Sequence, residues 1–339
     1  MARRWTARMV WALLAFLTVP GMLAGCGGKK DAEGVLQDLE RKAKSIQGYR
    51  AEGTLTIATG AHPVDYAVEV KHLKPAYYRV SLSNAAGGIR QVIVKNDDGV
   101  FVVTPNLGKT YRFQSRWPEN QSQVYLFESL VRSIAADGAR VFEAADDGYV
   151  FRVKAEYQNR LLSTQKIWFD KRTLAPKRVE VLDADDRPLV VLVFSRFEWN
   201  PPLRPEDFKP DAAGEKPSSS AGETAPASAG VEYREPLWRP PGTELVGVEK
   251  KPDGSYTLTY GGAFRLTISA QPARAVEVVA PSGEPVWLSG GAIGVLTRIG
   301  ELTTLRVTAG GVDYKLTTVD LAREDLLRVA ESLLAPAEK

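Results

Sequence analysis

Apolar and polar positions alternate along most of this chain, and the period changes in only a few places. Tyr49, Ala51, Gly53, Leu55 and Ile57 interleave with Arg50, Glu52, Thr54 and Thr56, and Val64, Tyr66, Val68 and Val70 interleave with Asp65, Glu69 and Lys71. A period of two with one apolar set marks strands that bury a single face. Runs near 76–83, 89–95, 99–104, 109–114, 140–144, 148–157, 161–169, 175–183 and 188–198 read the same way, with Asp98-Gly99 and Leu107-Gly108 as turn signals. Two stretches switch to a spacing of three and four. Leu36, Leu39, Ala43 and Ile46 follow Asp31, which is placed to cap a helix, and Gly48 is placed to end it. Phe127, Leu130, Val131 and Ile134 share a face after Pro118 and Asn120 and before Asp137-Gly138. Eleven strands and two helices are predicted before residue 200.

Leu189-Val190-Val191-Leu192-Val193-Phe194 is apolar on both faces and needs cover on both sides of its sheet. One layer of amphipathic helix covers one side, so a second body, such as the C-terminal domain, is expected on the other. From 210 to 230 the chain turns to Ala, Ser, Gly and Pro with no aromatic or branched aliphatic residue, the composition of a flexible linker spanning about 25 Å. Beyond it, strands are predicted at 243–250, 255–260, 263–270, 292–298, 302–308 and 312–318. A closing helix carries Leu326, Leu327, Ala330, Leu333 and Leu334, with Asp320 as its expected cap. The organisation expected is a first domain over 31–209, the linker over 210–230 and a smaller α+β domain over 231–339. The fold class is mainly β (α+β), an open antiparallel half-barrel of about eleven strands covered by helices.

At 339 residues with 44% hydrophobic and 25% charged side chains, the chain is long enough for two cores. The formal charge of +3 misleads, because residues 1–25 hold Arg3, Arg4 and Arg8 and no acid. Without those three, 41 basic side chains face 41 acidic ones, so net charge gives no support to nucleic-acid binding. One Cys permits no internal disulfide, and with two His it supplies no Cys/His metal site. Gly108-Lys109-Thr110 resembles the end of a phosphate-binding loop, but Val103 stands where the motif needs its first Gly. The acidic runs at Asn96-Asp97-Asp98-Gly99, Asp146-Asp147-Gly148 and Asp183-Ala184-Asp185-Asp186 lack the closing Glu of a calcium loop and read as turns. His62 and His72 have no nucleophile motif beside them. No catalytic set, cofactor or metal is expected.

The basic residues belong to the N-terminus. Arg3, Arg4 and Arg8 precede an apolar run from Met9 to Leu17, broken by Pro20 before it reaches the roughly 20 residues a membrane span needs. Leu23-Ala24-Gly25-Cys26 resembles the lipobox of bacterial lipoproteins, in which the Cys receives a diacylglycerol and becomes the new N-terminus. The expectation is a signal peptide over 1–25, lipidation at Cys26, and a tether over 26–30 that is at most about 15 Å long. Two acyl chains hold where one binds reversibly, so the protein is expected outside the cell, lipid-anchored on the outer face of the cytoplasmic membrane. Lys29 and Lys30 read equally as headgroup contacts or as a solvated tether.

Val70-Lys71-His72-Leu73-Lys74-Pro75-Ala76-Tyr77-Tyr78-Arg79-Val80, Val92-Ile93-Val94-Lys95-Asn96, Gly99 to Pro105, and Trp168-Phe169-Asp170-Lys171 with Leu174-Ala175-Pro176 carry a resemblance. Over about 31–209 the chain resembles the LolA-like lipoprotein-sorting family, nearest to its lipidated, sporulation-associated YdcC-like and GerS-like branch. The resemblance implies an apolar cavity for acyl chains beneath a helical lid. Leu55, Ile57, Tyr66, Val68, Val70, Phe101, Phe127 and Val131 are the candidate lining, although periodicity does not separate a lining from a packed core. It also implies a lid latch just before Pro75, where Lys74 stands and lacks the planar fork of an Arg. The partners implied are a lipid or acylated protein. Two further readings are a sensor that binds an anti-sigma factor, as RseB/MucB-like proteins do, and an accessory to a cell-wall amidase, as GerS-like proteins are.

Overall fold

The computed structural model describes residues 30–58, 63–84, 89–105, 108–114, 116–118, 123–155, 157, 162–210, 231–274, 277–280, 283–288 and 292–335. Cys26, His62 and nearly all of the expected linker lie outside them.

The chain opens with α1 (Ala32–Ser45), whose first turn is closed by Asp31 accepting the Gly34 N–H at 2.8 Å. Six strands follow: β1 (Gly48–Ile57), β2 (Val64–Leu73), β3 (Tyr77–Asn84), β4 (Ile89–Asn96), β5 (Gly99–Thr104) and β6 (Lys109–Phe113). After α2 (Phe127–Ala136) come β7 (Val141–Ala144), β8 (Gly148–Lys154), β9 (Thr164–Asp170), β10 (Pro176–Leu182) and β11 (Pro188–Trp199). These are the eleven strands the alternation predicts, in the antiparallel order β6-β5-β4-β3-β2-β1-β11-β10-β9-β8-β7. The chain closes the middle of the sheet by pairing its first and last strands, β1 with β11. A register shift at Glu52/Gly53 in that pair lets Phe194 and Phe197 both pack into the core beneath the helices.

Two local signals act differently from their sequence reading. Gly48 does not end a helix. It begins β1 where a Cβ would come 2.1 Å from the His72 carbonyl oxygen, so only glycine lets the backbones approach. The second helix starts at Phe127, not near Pro118. Trp117, Val124, Tyr125 and Leu126 bury their side chains in the core, and that packing holds Val124–Leu126 out of the helix.

The remaining chain forms β12 (Thr243–Lys250), β13 (Tyr256–Gly262), β14 (Leu266–Pro272), β15 (Glu277–Ala280), β16 (Glu284–Trp287), β17 (Ile293–Ile299), β18 (Leu302–Ala309), β19 (Val312–Thr318) and α3 (Arg323–Leu334). Seven of them make a second sheet in the order β12-β13-β14-β19-β18-β17-β16, against which α3 buries Leu326, Val329, Ala330 and Leu333. Ala322 precedes α3 without a side-chain cap, whereas Asp320 accepts the Arg265 N–H and Nε–H, both at 2.9 Å. Periodicity misses β15 and β16, four-residue strands in a stretch interrupted by Pro272, Pro281 and Pro285. β15 leaves the second sheet altogether and pairs parallel with β6, Val278 beside Tyr111, which makes the first sheet twelve strands wide.

The second sheet does not cover the outer side of β11, where Val193 is 43% exposed. The outer side of β4 and β5 is covered by the chain that follows β11. A short 3-10 turn at Pro205–Phe208 lays Phe208 onto Val92, Val94, Phe101 and Val103. Asn96 Nδ2 donates to the Phe208 carbonyl at 3.1 Å and an Arg79 guanidinium nitrogen to that of Lys209 at 3.2 Å.

Candidate functional site: the inner face and its two covers

The inner face of the large sheet is one continuous apolar surface. Leu55, Ile57, Tyr66, Val68, Val70, Phe127 and Val131 all join its core cluster, so seven of the eight predicted lining residues share one space. Phe101 does not. Val100 and Val102 take the inward positions of β5, and Phe101 turns outward under Phe208 with the Arg112 guanidinium 5.6 Å from its ring centre. Tyr66 and Val68 are 3% and 4% exposed and packed among neighbours. Two hollows among the described residues are open grooves. One, of about 310 Å³, runs between α1 and α2 past Glu40, Ala43, Lys44, Val131, Arg132 and Ala135. The other, of about 550 Å³, lies along the polar positions Arg50, Glu52, Thr54, Glu69, Ser81 and Ser83.

Two separate bodies cover the inner face. The first is the helix pair. Phe127 sits edge-on to Trp199 (4.9 Å between ring centres) and to Phe169 (6.4 Å), so α2 is seated on an aromatic bed. A polar pin joins it to the sheet. The Tyr49 hydroxyl donates to Glu128 Oε2 at 3.0 Å and accepts the Phe127 N–H at 3.2 Å, satisfying one of the free donors at the helix start. His72 is 1% exposed, stacks on Tyr78 with ring centres 4.3 Å apart, and directs Nδ1 to the Tyr77 carbonyl (3.0 Å) and Nε2 to Glu128 Oε1 (3.2 Å). With Nδ1 donating to the carbonyl, Nε2 stands beside the carboxylate as a close polar contact. Burial pushes the His72 imidazole below its ordinary value, opposed by the Glu128 charge, and pushes the Tyr49 phenol well above its own. The predicted latch residue Lys74 donates from Nζ to the Lys44 carbonyl at 2.6 Å, in the last turn of α1. Lys74 thus meets the end of α1 through a single ammonium contact.

The second cover is the edge of the other sheet. Ile293 and Val295 of β17 and Trp287 of β16 belong to the core of the first sheet, while Val286 and Leu296 belong to that of the second. These strands are a shared wall, apolar on both sides. Gln91, 2% exposed on β4, meets the backbone of Ile293 with both ends of its amide. The Ile293 N–H donates to Oε1 at 2.7 Å and Nε2 donates to the carbonyl at 3.4 Å. Lys109, 3% exposed, is ion-paired with Asp313 of β19, which also accepts the Thr308 hydroxyl at 2.6 Å. That pairing is what the Gly108-Lys109-Thr110 stretch does. Tyr125 and Trp287 meet at 5.7 Å between ring centres.

Sequence reasoning misses Gln91, Lys109, Trp287, Ile293 and Val295. The available signal is Gln91 itself. Alternation places it with Ile93 on the inner face of β4, and a polar side chain in an inward position needs a partner. Among the described residues no cluster of His, Cys, Asp and Glu is arranged to hold a metal ion, and no helix is long and apolar enough to cross a membrane.

An open antiparallel sheet of eleven strands closed by helices, joined to a smaller second sheet, defines the class of this protein as a mainly β fold built on an open half-barrel. Residues 6–208 match the model of the "Sporulation protein YdcC-like" family. The chain is 38% identical over 334 residues to "Sporulation protein YdcC" of Bacillus subtilis (strain 168), an alignment covering 96% of this chain and 97% of that one. It belongs to the YdcC-like sporulation protein family. Similar solved structures include the Pseudomonas aeruginosa MucA/MucB complex (14% identity, 89% of this chain and 97% of that one, TM-score 0.32). Others are the CwlD amidase from Clostridioides difficile in complex with the GerS lipoprotein (14%, 51% and 98%, 0.31) and a putative outer membrane lipoprotein-sorting protein domain from Vibrio parahaemolyticus (14%, 54% and 99%, 0.31). Scores of this size carry no weight for activity or partner.

Proposed function

We propose that this protein is a non-enzymatic binding protein of the sporulating cell's envelope. In this reading, lipidation at Cys26 holds it on the outer face of the cytoplasmic membrane. It takes an acyl chain or another apolar segment of its partner onto the inner face of the large sheet. The domain limits at 31–209 and 231–339, and the lining residues Leu55, Ile57, Tyr66, Val68, Val70, Phe127 and Val131, are part of this proposal. Phe101 is not, and Lys74 serves as one of the contacts that keep the helical cover shut.

The observation that carries the reading is the way the helical cover is attached. A sheet face this apolar needs a cover, and α2 is fastened over it through a few discrete polar contacts at Tyr49, His72 and Glu128. With the side chains packed, binding requires the cover to move, which makes affinity depend on how firmly the pin holds. The test uses the chain from residue 27 onward and a dansyl-labelled undecanoic acid. Saturable fluorescence uptake is expected, tighter in Glu128→Gln, whose amide weakens the pin. No saturable uptake by either form would overturn the reading.

A second reading, a protein partner docked on the outside, is favoured by one observation. Val193, in a strand whose sequence is apolar on both faces, is 43% exposed on the outer side of β11. Val193→Lys would abolish capture of such a partner and leave acyl uptake unchanged.

A further inference from the structure

The region of the inner face over β4–β6 is filled by the chain itself, and the contact is built as recognition rather than as accidental packing. Ile293 and Val295 present alternate branched side chains to the face, 2% and 1% exposed, as a bound extended peptide would. Gln91 reads the backbone of Ile293 at both its donor and its acceptor, the way a neighbouring strand would. Lys109 and Asp313 close the contact at one side, and β15 continues the sheet at its edge through backbone pairing with β6. β17 nevertheless pairs regularly with β18 in its own sheet, from Gly294 opposite Val307 to Ile299 opposite Leu302, so it is a member of the second body that also serves the first.

We infer that β17 is a built-in competitor: the second sheet occupies the inner face over β4–β6 and excludes from it the apolar segment that the partner would insert. This rests on the proposed inner-face binding. It adds that the protein exists in a self-filled form, and that an incoming acyl chain or apolar segment gains room there only when Ile293 and Val295 withdraw. A ligand that binds only the withdrawn form sees its affinity reduced by the fraction of molecules in which the face is free.

The test uses the chain from residue 27 onward, with the dansyl-labelled undecanoic acid as probe and amide hydrogen exchange to follow β17. Gln91→Leu removes both bonds to Ile293 and keeps the size of the side chain. Val295→Asp places a charge in the apolar contact and serves as the stronger perturbation. Faster exchange across 293–299, with probe affinity raised about tenfold over the unsubstituted chain, is the result expected for a competitor. Exchange that rises while probe affinity stays at the level of the unsubstituted chain overturns the competitor and leaves the inner-face reading standing. Absence of probe binding in all three forms overturns both. A β17 that stays protected in both variants also overturns the inference, because a cover that never withdraws competes with nothing. Circular dichroism of each variant separates withdrawal of β17 from loss of the fold, and a variant that unfolds is replaced by Ile293→Ser under the same criteria.

Discussion

The two covers of the inner face solve the same problem with different chemistry. Over β1 and β8–β11 the cover is a pair of helices set among the sheet's own strands in sequence, seated on aromatic rings and pinned by Tyr49, His72 and Glu128. Over β4–β6 it is the edge of another sheet, more than 150 residues away in sequence, held by branched aliphatics, the Gln91 amide and a buried ion pair. A helix placed on a sheet keeps all its backbone bonds when it lifts, because they lie inside the helix. The second cover is tied also by the strand pairing of β15 with β6, so part of its backbone bonding is shared with the sheet it covers. The comparison predicts that the two covers open independently, the helical one at lower cost.

The largest effect expected is that of Phe127→Ala. Its side chain is fully buried and touches Tyr49, Phe169 and Trp199, so truncation should destabilise the protein by about 3–5 kcal/mol. Denaturant unfolding measures the loss. If the covers are independent, hydrogen exchange in the variant rises in α2 and β1 but not in β17, and an equal rise in both would break the comparison.

Lys109→Met tests the other side. The methionine fills the space of the lysine stem but leaves the Asp313 carboxylate with the Thr308 hydroxyl and no cation, and breaking a buried pair in this way costs about 3 kcal/mol. Exchange should rise in β17 and β19 while α2 stays protected. A cost below about 1 kcal/mol would place this pair with ordinary surface ion pairs and leave the aliphatic contact to hold the second cover.

The same contrast decides what the sequence discloses. The eleven strands and the apolar stripe of α2 are legible because each is written in consecutive residues at a fixed period. That seven of the candidate residues share one core cluster is legible for the same reason, since Leu55 and Tyr66 lie opposite each other across β1 and β2 and face the same way. Phe101 fails because every residue of β5 from Val100 to Val103 is apolar and buried, so the pattern gives no phase for which side is inward. The start of α2 and the role of Gly48 are set by tertiary contacts, with Tyr49 and His72 respectively. The second cover is invisible to periodicity because its message is divided between Gln91 and Ile293, which lie 202 positions apart. The expectation that the second domain covers the outer side of residues 189–194 fails for a related reason. Pattern shows that a face needs a cover, but not which of two faces a distant element will choose.

Tyr49→Phe should have a smaller effect, about 1 kcal/mol, because it keeps the ring stack with Phe197 and removes only the hydroxyl that donates to Glu128 and accepts the Phe127 N–H. Thermal unfolding gives the magnitude. The useful reading is again regional, with α2 exchanging faster and β17 unchanged. A rise in acyl-probe uptake in this variant would sharpen the comparison by showing that the helical cover gates access on its own.

The smallest effect is a pH dependence at the other end of α2. The Asp137 carboxylate accepts the Lys154 N–H at 2.7 Å and the Ala139 N–H at 2.9 Å, and these bonds hold its pKa below the ordinary carboxylate value of 3.8. A carboxyl that is more acidic folded than unfolded binds fewer protons in the native state. It therefore contributes stability that is complete above the unfolded value and is lost as pH falls through the folded one. Melting temperature should fall more steeply between pH 4 and pH 2 in the natural chain than in Asp137→Asn, where the titrating group is gone, with the curves parallel above about pH 5. Because Asp137 ties the end of the helix to β8 and not to the second sheet, acid should loosen α2 before β17. The reverse order would show that the helical cover is the firmer of the two.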